Sequence, residues 1–422
     1  LFESAVQWYC FLLYGTAAGT VFHKVFFSQT GNGTTALILS YMSFAIGYIA
    51  GPFGAIFFGH IGDRKGRKVT MYASLLMMGI STSIIGILPP AASAGVGVVI
   101  VLQLMRLAQC FGRGGTWGGG ILMAYENVPE NKRSFYAAIP QIGLPIGFGL
   151  SSILIAVPTL LLPEDIFFTW GWRIPFLAAI ILTVIVIRQK GEMMETEDYK
   201  KAQAKLEAEE AEGKKHKVGF IPMVKGYWKT LLLGCGTRWV DGTFYNIFIV
   251  WILSYCINWL GMPLIQTYII TIIACIFKIP FTLFGGWCAQ KLGNTRTFVI
   301  GALASAVLSI PTLKVIELSK GNLAITIIGI VLGWSIAYNL IWAVISSLWS
   351  SYFETEVRYS GISFVYHVPS FLVAGMVPTI CTLLINYGKG DTIYVGIYST
   401  VVALISAACA LALKARHDRG EK

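Results

Sequence analysis

Residues 59–68 read GHIGDRKGRK, a short basic stretch that separates two apolar segments of the chain, 35–58 and 69–90. Each segment is long enough for a helix that crosses a hydrocarbon core of about 30 Å, which takes roughly 20 apolar residues. We therefore expect the basic stretch to be a tight loop at one membrane surface, between two transmembrane helices.

Similar apolar segments recur along the whole chain. Hydrophobic residues make up 55% of it and charged residues only 13%, whereas a soluble domain carries about 25% charged residues. The segments are 1–22, 35–58, 69–90, 97–126, 135–160, 171–189, 229–258, 267–288, 298–316, 322–349, 360–386 and 392–413. This pattern predicts an all-α membrane protein with twelve transmembrane helices.

Positive charge is concentrated on one side of these segments. If all twelve cross the membrane, 23 of the 32 Lys and Arg residues lie on one face, four on the other and five within the spans. Because Lys and Arg accumulate in cytoplasmic loops, we predict a multi-pass protein of the cytoplasmic membrane with both termini cytoplasmic. The net charge of +11 then reflects topology, and no nucleic-acid partner is expected, since no basic patch is interleaved with exposed aromatic residues.

Cofactor and metal chemistry find little support in the sequence. The eight Cys residues are scattered through apolar segments, without a C-x-x-C pair or a His at metal-binding spacing. We interpret them as small buried apolar residues, and we expect no metal and no cofactor. We also expect neither an intramembrane enzyme, which needs a nucleophile and base or a metal site, nor a receptor, which needs a large signalling region.

The middle of the chain breaks the apolar pattern. Residues 190–228 are rich in Glu, Lys and Ala, and we interpret them as a charged cytoplasmic linker. The predicted domains are a six-helix bundle over 1–189, this linker, and a second six-helix bundle with a short cytoplasmic tail over 229–422.

A faint internal repeat supports two related halves. Gly66 and Gly293 are 227 positions apart, and Arg133 and Arg358 are 225 apart, as expected after duplication. Parallel halves of this kind place a substrate site near the midplane, between them.

The basic loop carries residues suited to a conformational latch. Gly59 lets two helix ends approach closely, Gly66 permits a tight turn, and Asp63 can cap a helix or pair with an arginine. The alternative is a loop that only sets orientation. The predicted gate on the cytoplasmic side consists of Gly59, Asp63, Arg64, Gly66, Arg67, Glu126, Arg133, Glu356 and Arg358.

Residues 59–68 resemble the signature loop of the major facilitator superfamily. The stretches QWYCFLLYG (7–15), RLAQCFG (106–112), GGTWGG (114–119), WGWRIPF (170–176) and EVRYSG (356–361) resemble its metabolite:proton symporter family, which includes transporters of shikimate, 2-oxoglutarate, citrate, and proline with betaine. The resemblance covers essentially the full length. It implies the major facilitator fold of two pseudo-symmetric six-helix bundles, and secondary transport by alternating access.

The chain departs from that family at several ionisable positions. Gln7, Cys10 and Thr116 stand where the family usually has acidic residues, Gly51 stands where it has an arginine, and Arg113 is unusual. Proton coupling by the family's usual route is therefore left open.

Two arginines of the fourth segment are candidate functional groups, since a charge at the bilayer centre costs at least about 2.5–3.5 kcal/mol. Arg106 aligns with an arginine that facilitators often use near the coupling site, so we predict a role in proton coupling or substrate binding. The alternative is a structural arginine bonded to helix carbonyls. Arg113 lies seven residues on, about two turns along the same face, and a guanidinium can bind a carboxylate through two hydrogen bonds.

Charged residues of the second half supply further candidates. Arg238 and Asp241 are three residues apart, close enough to pair, and Asp241 is either a proton carrier or half of a structural ion pair. Lys278 either contacts an anion or extends toward the interface.

Uncharged candidates for the solute site come from both halves. Gln141 lies between Pro140 and Pro145, where a broken helix exposes backbone polar groups. Tyr9, Trp117 and Tyr245 are candidate aromatic contacts, with helix packing as the alternative.

The preferred hypothesis is a secondary active transporter of a small organic anion, because the buried cations outnumber Asp241. Proton symport is the default coupling, and facilitated diffusion is a variant. The alternative solute is a zwitterionic osmolyte such as proline or betaine, whose cation aromatic faces could hold. The expected partners are a small-molecule solute, protons and the lipid bilayer, with the protein as a monomer.

Overall fold

The structure is a computed structural model that describes residues 1–65, 67–126, 128–129, 132–189 and 220–421. Within these ranges it describes no side chain for residues 60, 62–65, 67–68, 116–126, 220–222, 355–356 and 359. The described residues form helices and connecting turns, with no strand among them.

Twelve long helical segments confirm the predicted number of spans. They are α1 Phe2–Thr20, α2 Gly33–Lys65, α3 Arg67–Ile87, α4 Gly97–Glu126, α5 Arg133–Leu161, α6 Glu164–Gln189, α7 Met223–Asn258, α8 Leu264–Leu292, α9 Asn294–Leu318, α10 Leu323–Ser351, α11 Ser360–Tyr387 and α12 Ile393–Asp418. Short helical turns at Phe22–Val25, Ser28–Thr30 and Ala91–Ala94 lie in the connections.

Ten of the described helices are long and apolar enough to cross a membrane on those grounds alone. The other two are α1 and α4, which carry more polar residues. Every residue of α1 from Ala5 to Thr20 is buried. α4 holds Arg106, Gln109 and Arg113, all buried, so its polar groups face other helices instead of lipid.

Several spans are interrupted by turns that depart from regular α-helix. Wide π-helical turns occur at Phe167–Gly171 in α6, Ile247–Trp251 in α7, Val331–Ala337 in α10 and Phe371–Gly375 in α11. A 3₁₀ turn at Pro140–Ile142 breaks α5, where proline lacks the amide hydrogen that a continuous helix requires. Such π turns are frequent at functional sites.

The helices of each half pack against one another, and the buried apolar side chains of both halves join in one continuous core. In the first half (α1–α6), α2 and α3 pack on α4, α1 packs on α5 and α3 on α6; in the second half (α7–α12), α7 and α9 pack on α12, and α8 and α9 on α10. The halves meet where α1 contacts α7, α2 contacts α11 and α5 contacts α8. The domain boundaries stay a prediction, because residues 190–219 lie outside the described residues.

Glycine lets α2 and α4 approach each other closely. A Cβ atom added at Gly54 would lie 1.9 Å from the carbonyl oxygen of Phe111, and one at Gly114 would lie 2.4 Å from that of Gly51. The contact brings the backbone of α4 against α2 just where Arg113 leaves the helix.

Candidate functional site

Arg113 connects the two halves of the protein. Its guanidinium, on α4, donates a hydrogen bond to the hydroxyl of Tyr366 on α11. The guanidinium carbon also lies 3.8 Å from the ring centroid of Phe11 and 4.7 Å from that of Trp8. The Arg113 side chain is 4% exposed, so its charge sits among aromatic faces at the boundary between the halves.

From Tyr366 a line of polar groups continues into the second half. The Arg238 guanidinium carbon lies 4.4 Å from the Tyr366 ring centroid, and Arg238 forms a buried ion pair with Asp241. The hydroxyl of Tyr338, on α10, donates to the other oxygen of the Asp241 carboxylate.

Lys278 completes this line from α8. Its ammonium nitrogen lies 4.5 Å from the Tyr338 ring centroid and 4.6 Å from that of Trp334, and it donates to the side-chain oxygen of Asn339 at 3.0 Å. Lys278 is fully buried, so it does not extend toward the interface. We call Arg113, Tyr366, Arg238, Asp241, Tyr338 and Lys278 the central network.

Gln141 and three aromatic residues lie beside the central network. The indole nitrogen of Trp342, on α10, donates to the Gln141 carbonyl oxygen at 3.0 Å, so the broken part of α5 touches the second half. The Trp8 ring lies 5.5 Å from Trp342 and 5.8 Å from Tyr245. These side chains form an aromatic wall next to Arg113.

Two predicted site residues lie deeper in the first half. Arg106 donates to the Phe44 carbonyl oxygen at 3.3 Å and to the side chain of Gln109, and it is fully buried. Tyr9 donates its hydroxyl to the carbonyl oxygen of Pro175 on α6. Arg106 and Arg113 share a helix face, but only Arg113 hydrogen-bonds to the second half among the contacts that the structure describes.

Three buried polar atoms around Arg113 have no hydrogen-bond partner in the described part of the chain. They are the hydroxyls of Tyr48 and Tyr245 and the Nε2 atom of His367. His367 packs against Gly51 of α2, where an added Cβ would lie 2.8 Å from its Nδ1 atom. A bound solute with polar groups is one way to satisfy atoms of this kind.

The predicted gate is only partly visible. Gly59 is half-buried in α2, and Arg133 is the half-buried first residue of α5. The side chain of Arg358 donates to the carbonyl oxygens of Ser350 and Phe353 at 3.0 and 3.2 Å, which ties the segment just before α11 to the end of α10. Gly66 and the side chains of Asp63, Arg64, Arg67, Trp117, Glu126 and Glu356 lie outside the described residues.

The halves also touch at the ends of the helices away from the basic loops. Tyr41 of α2 donates to the Ser254 hydroxyl of α7 at 2.6 Å, and the hydroxyls of Thr20 and Tyr268 lie 3.1 Å apart. Above this contact lies a cavity of about 720 Å³ that both halves line. We call it the vestibule. Its wall includes His23, and burial lowers the pKa of that imidazole to about 4.

The sequence did not single out Tyr338 or Asn339, which hold Asp241 and Lys278 in place. The available signal was weak: both are polar residues inside the apolar segment 322–349. Tyr48 was missed for the same reason, since one tyrosine in an apolar helix is more often a packing residue.

Comparison with known proteins identifies the family. The model of the Major Facilitator Superfamily matches residues 9–378. The inner membrane metabolite transport protein YhjE of Escherichia coli (strain K12) is 34% identical over 99% of this chain and 93% of its own. The shikimate transporter of the same strain is 31% identical over 97% and 92%.

The fold agrees with this assignment. The proton:xylose symporter XylE, solved with bound 6-bromo-6-deoxy-D-glucose, superposes with a TM-score of 0.74 over 97% of this chain and 94% of its own, at 17% identity. Such a likeness shows the fold alone. Together with the family match and the full-length relatives, it shows that the chain belongs to the major facilitator superfamily and is a multi-pass membrane transporter of metabolites.

Proposed function

We propose that the protein carries a small organic anion across the cytoplasmic membrane by alternating access, together with a proton. Both termini and the basic loops lie on the cytoplasmic side in this proposal, and the vestibule opens to the outside. The solute binds where α4 meets α11, between the halves.

The charge balance of the central network is the observation that carries the proposal. Arg113 and Arg238 flank the ring of Tyr366, and Lys278 lies beyond Tyr338. Asp241 is the one acidic member of the network. Buried charges need partners, so a carboxylate that enters between the halves gains more here than a neutral or cationic solute.

The connection through Tyr366 suggests how binding moves the halves. A carboxylate that takes two hydrogen bonds from Arg113 replaces the Tyr366 hydroxyl, because guanidinium–carboxylate pairs are stronger than bonds to a neutral hydroxyl. The direct link between α4 and α11 then becomes a link through the solute. A ligand shifts such an equilibrium only by its difference in affinity for the two states.

Asp241 provides the proton site in this proposal. When its carboxylate is ionised, it neutralises Arg238; when it is protonated, Arg238 is left without its counter-ion and attracts an anion. Proton binding and anion binding therefore favour each other, as linked equilibria require.

Uptake by cells that express Arg113→Ala tests the anion site. We expect about a hundredfold loss of uptake, because truncation of one partner of a buried charge pair costs about 2–5 kcal/mol. The panel is shikimate, lactate, citrate, proline and betaine, each labelled. Arg188→Ala is the matched control, since Arg188 is an exposed arginine at the end of α6 and should leave uptake unchanged.

Two results would contradict the proposal. One is normal anion uptake by Arg113→Ala at normal expression. The other is uptake of proline or betaine by the unmodified protein without uptake of any carboxylate anion, which would indicate a zwitterion site instead.

A further inference from the structure

The vestibule has the dimensions and lining of a binding site in its own right. Its volume is about 720 Å³, within the range of about 300–1,000 Å³ that is typical of small-molecule sites. It lies between the halves, on the side away from the basic loops. It is separate from the central network, and the contact between Tyr41 and Ser254 lies between the two.

One wall of the vestibule is aromatic. Trp251 and Tyr255 are four residues apart near the end of α7, so they share a helix face, and Trp259 follows directly after the helix. The rings of Trp251 and Tyr255 are stacked with centroids 5.2 Å apart. Trp259 is 41% exposed, so its face is available to the apolar side of a ring-shaped solute.

The remaining wall offers hydrogen bonds and one positive charge. Amide side chains of Asn258 and Asn386 and the hydroxyl of Ser254 line the cavity, and Lys24 is the one formally charged residue among its described lining. The Lys24 ammonium lies 3.5 Å from the carboxylate of the exposed Glu164 and 4.2 Å from the ring centroid of Phe168. The amides and the hydroxyl can form hydrogen bonds with hydroxyl groups of a solute, and the ammonium can form an ion pair with a carboxylate.

In the cleft that adjoins the vestibule, lysines outnumber acids among the described residues. The adjoining cleft shares Tyr255 and Trp259 with it and also holds Lys320, Lys389, Glu317 and Asp391. Both acids of that cleft are bound by Lys314, at 2.9 and 2.7 Å. The hydrogen bond from Lys314 also lowers the pKa of Asp391, so that carboxylate stays ionised and paired with Lys314.

We propose that the vestibule is a docking site for a hydroxylated cyclic carboxylate before it reaches the central network. This inference rests on the proposed function for the direction of travel. Docking would affect a hydrogen bond between the two halves. Ser254 both lines the vestibule and accepts the hydrogen bond from Tyr41, so a solute hydroxyl that bonds to Ser254 competes with the contact that joins α2 to α7.

Labelling of an introduced thiol in the purified full-length protein tests the docking site. Ser28 is exposed on the vestibule wall, so Ser28→Cys should react readily with a fluorescent maleimide. Shikimate is the probe, and cyclohexanecarboxylate, which lacks the hydroxyls, is the comparison compound. The labelling rate should fall about tenfold when shikimate is near ten times its dissociation constant, and much less with cyclohexanecarboxylate.

Arg113→Ala in the Ser28→Cys background separates this site from the central one. Shikimate should still protect the thiol when the central site is lost, whereas protection that disappears would trace to the central site and overturn the proposal. Arg113→Lys is a second background if the alanine variant lowers the melting temperature. Absence of protection in the unmodified background also overturns docking, while uptake by Arg113→Ala reports separately on the proposed function.

Lys291→Cys is the control for general effects of shikimate. Lys291 is exposed at the C-terminal end of α8 and does not line the vestibule. Its labelling should not change. The unmodified chain sets the background, since six of its eight cysteines are buried and Cys235 and Cys409 are half-buried.

Discussion

Asp241 shows how one residue can hold two roles that the sequence leaves open. Its carboxylate pairs with Arg238 and accepts a hydrogen bond from Tyr338, and its side chain is 2% exposed. A purely structural pair and a proton carrier look alike in this arrangement. The two roles predict different behaviour when the charge is removed and the shape of the side chain is kept.

Asp241→Asn should abolish accumulation of solute driven by a pH gradient and leave exchange of labelled for unlabelled solute in place. The amide keeps the size of the side chain but cannot take up a proton. The measurement compares the two assays in proteoliposomes, with Asp165→Asn as the control because Asp165 is exposed. If both assays fail and the melting temperature falls, Asp241 is structural, as expected when one partner of a buried pair is lost at a cost of about 3–5 kcal/mol.

Arg106 and Arg113 mark the limit of sequence reasoning about side chains. Seven residues separate them by about 10 Å along the helix axis, and a shared face was predicted. The hydrophobic pattern cannot tell that Arg106 ends among Phe11, Tyr14 and Phe44 of its own half. Nor can it tell that Arg113 meets Tyr366, 253 positions away, because that contact depends on how the halves pack.

At the scale of the helices, the apolar segments of the sequence predicted the positions of the spans closely. The segment 97–126 coincides with α4, and 135–160 lies within α5. The interruptions were harder to foresee, since π turns at Val331–Ala337 and Phe371–Gly375 have no proline inside them. Only the breaks at Pro140 and at Pro369, two residues before the turn in α11, contain a residue whose chemistry predicts them.

Gly54→Ala should destabilise the packing of α2 on α4. The added methyl group would overlap the carbonyl oxygen of Phe111, and overpacking of this kind costs about 1–3 kcal/mol. We expect a lower melting temperature and a proportional loss of uptake. Gly97→Ala is the matched control, because a Cβ at Gly97, the first residue of α4, meets nothing within 4 Å. Equal melting temperatures for the two variants would show that the close approach is not required.

At the scale of the whole molecule, the two halves are in contact both above and below the central network. Thr20 and Tyr41 touch the second half on the side of the vestibule. Gly286 of α8 packs against Phe135 and Ala138 of α5 on the other side. Opening in either direction must therefore break one of these two sets of contacts.

The proposed orientation predicts which thiols an impermeant reagent reaches. Lys320 lies between α9 and α10, and Lys291 lies at the end of α8; both residues are exposed, and each is replaced by cysteine. In intact cells the reagent should label Lys320→Cys, and Lys291→Cys only after permeabilisation. The reverse pattern would place the termini outside.

Arg113 and Arg238 lie over the same ring, that of Tyr366, and this pair of positive charges has an electrical consequence. Both guanidinium groups stay charged at any physiological pH, and Asp241 offsets only one of them. Any part of the membrane voltage that falls across this region acts on the remaining charge, at about 2.3 kcal/mol per unit charge for each 100 mV. A bound carboxylate cancels that charge. The proton that Asp241 takes up in the proposed symport restores it, so the loaded and the empty carrier hold the same net charge, and a cycle that carries one anion with one proton moves no net charge through the voltage.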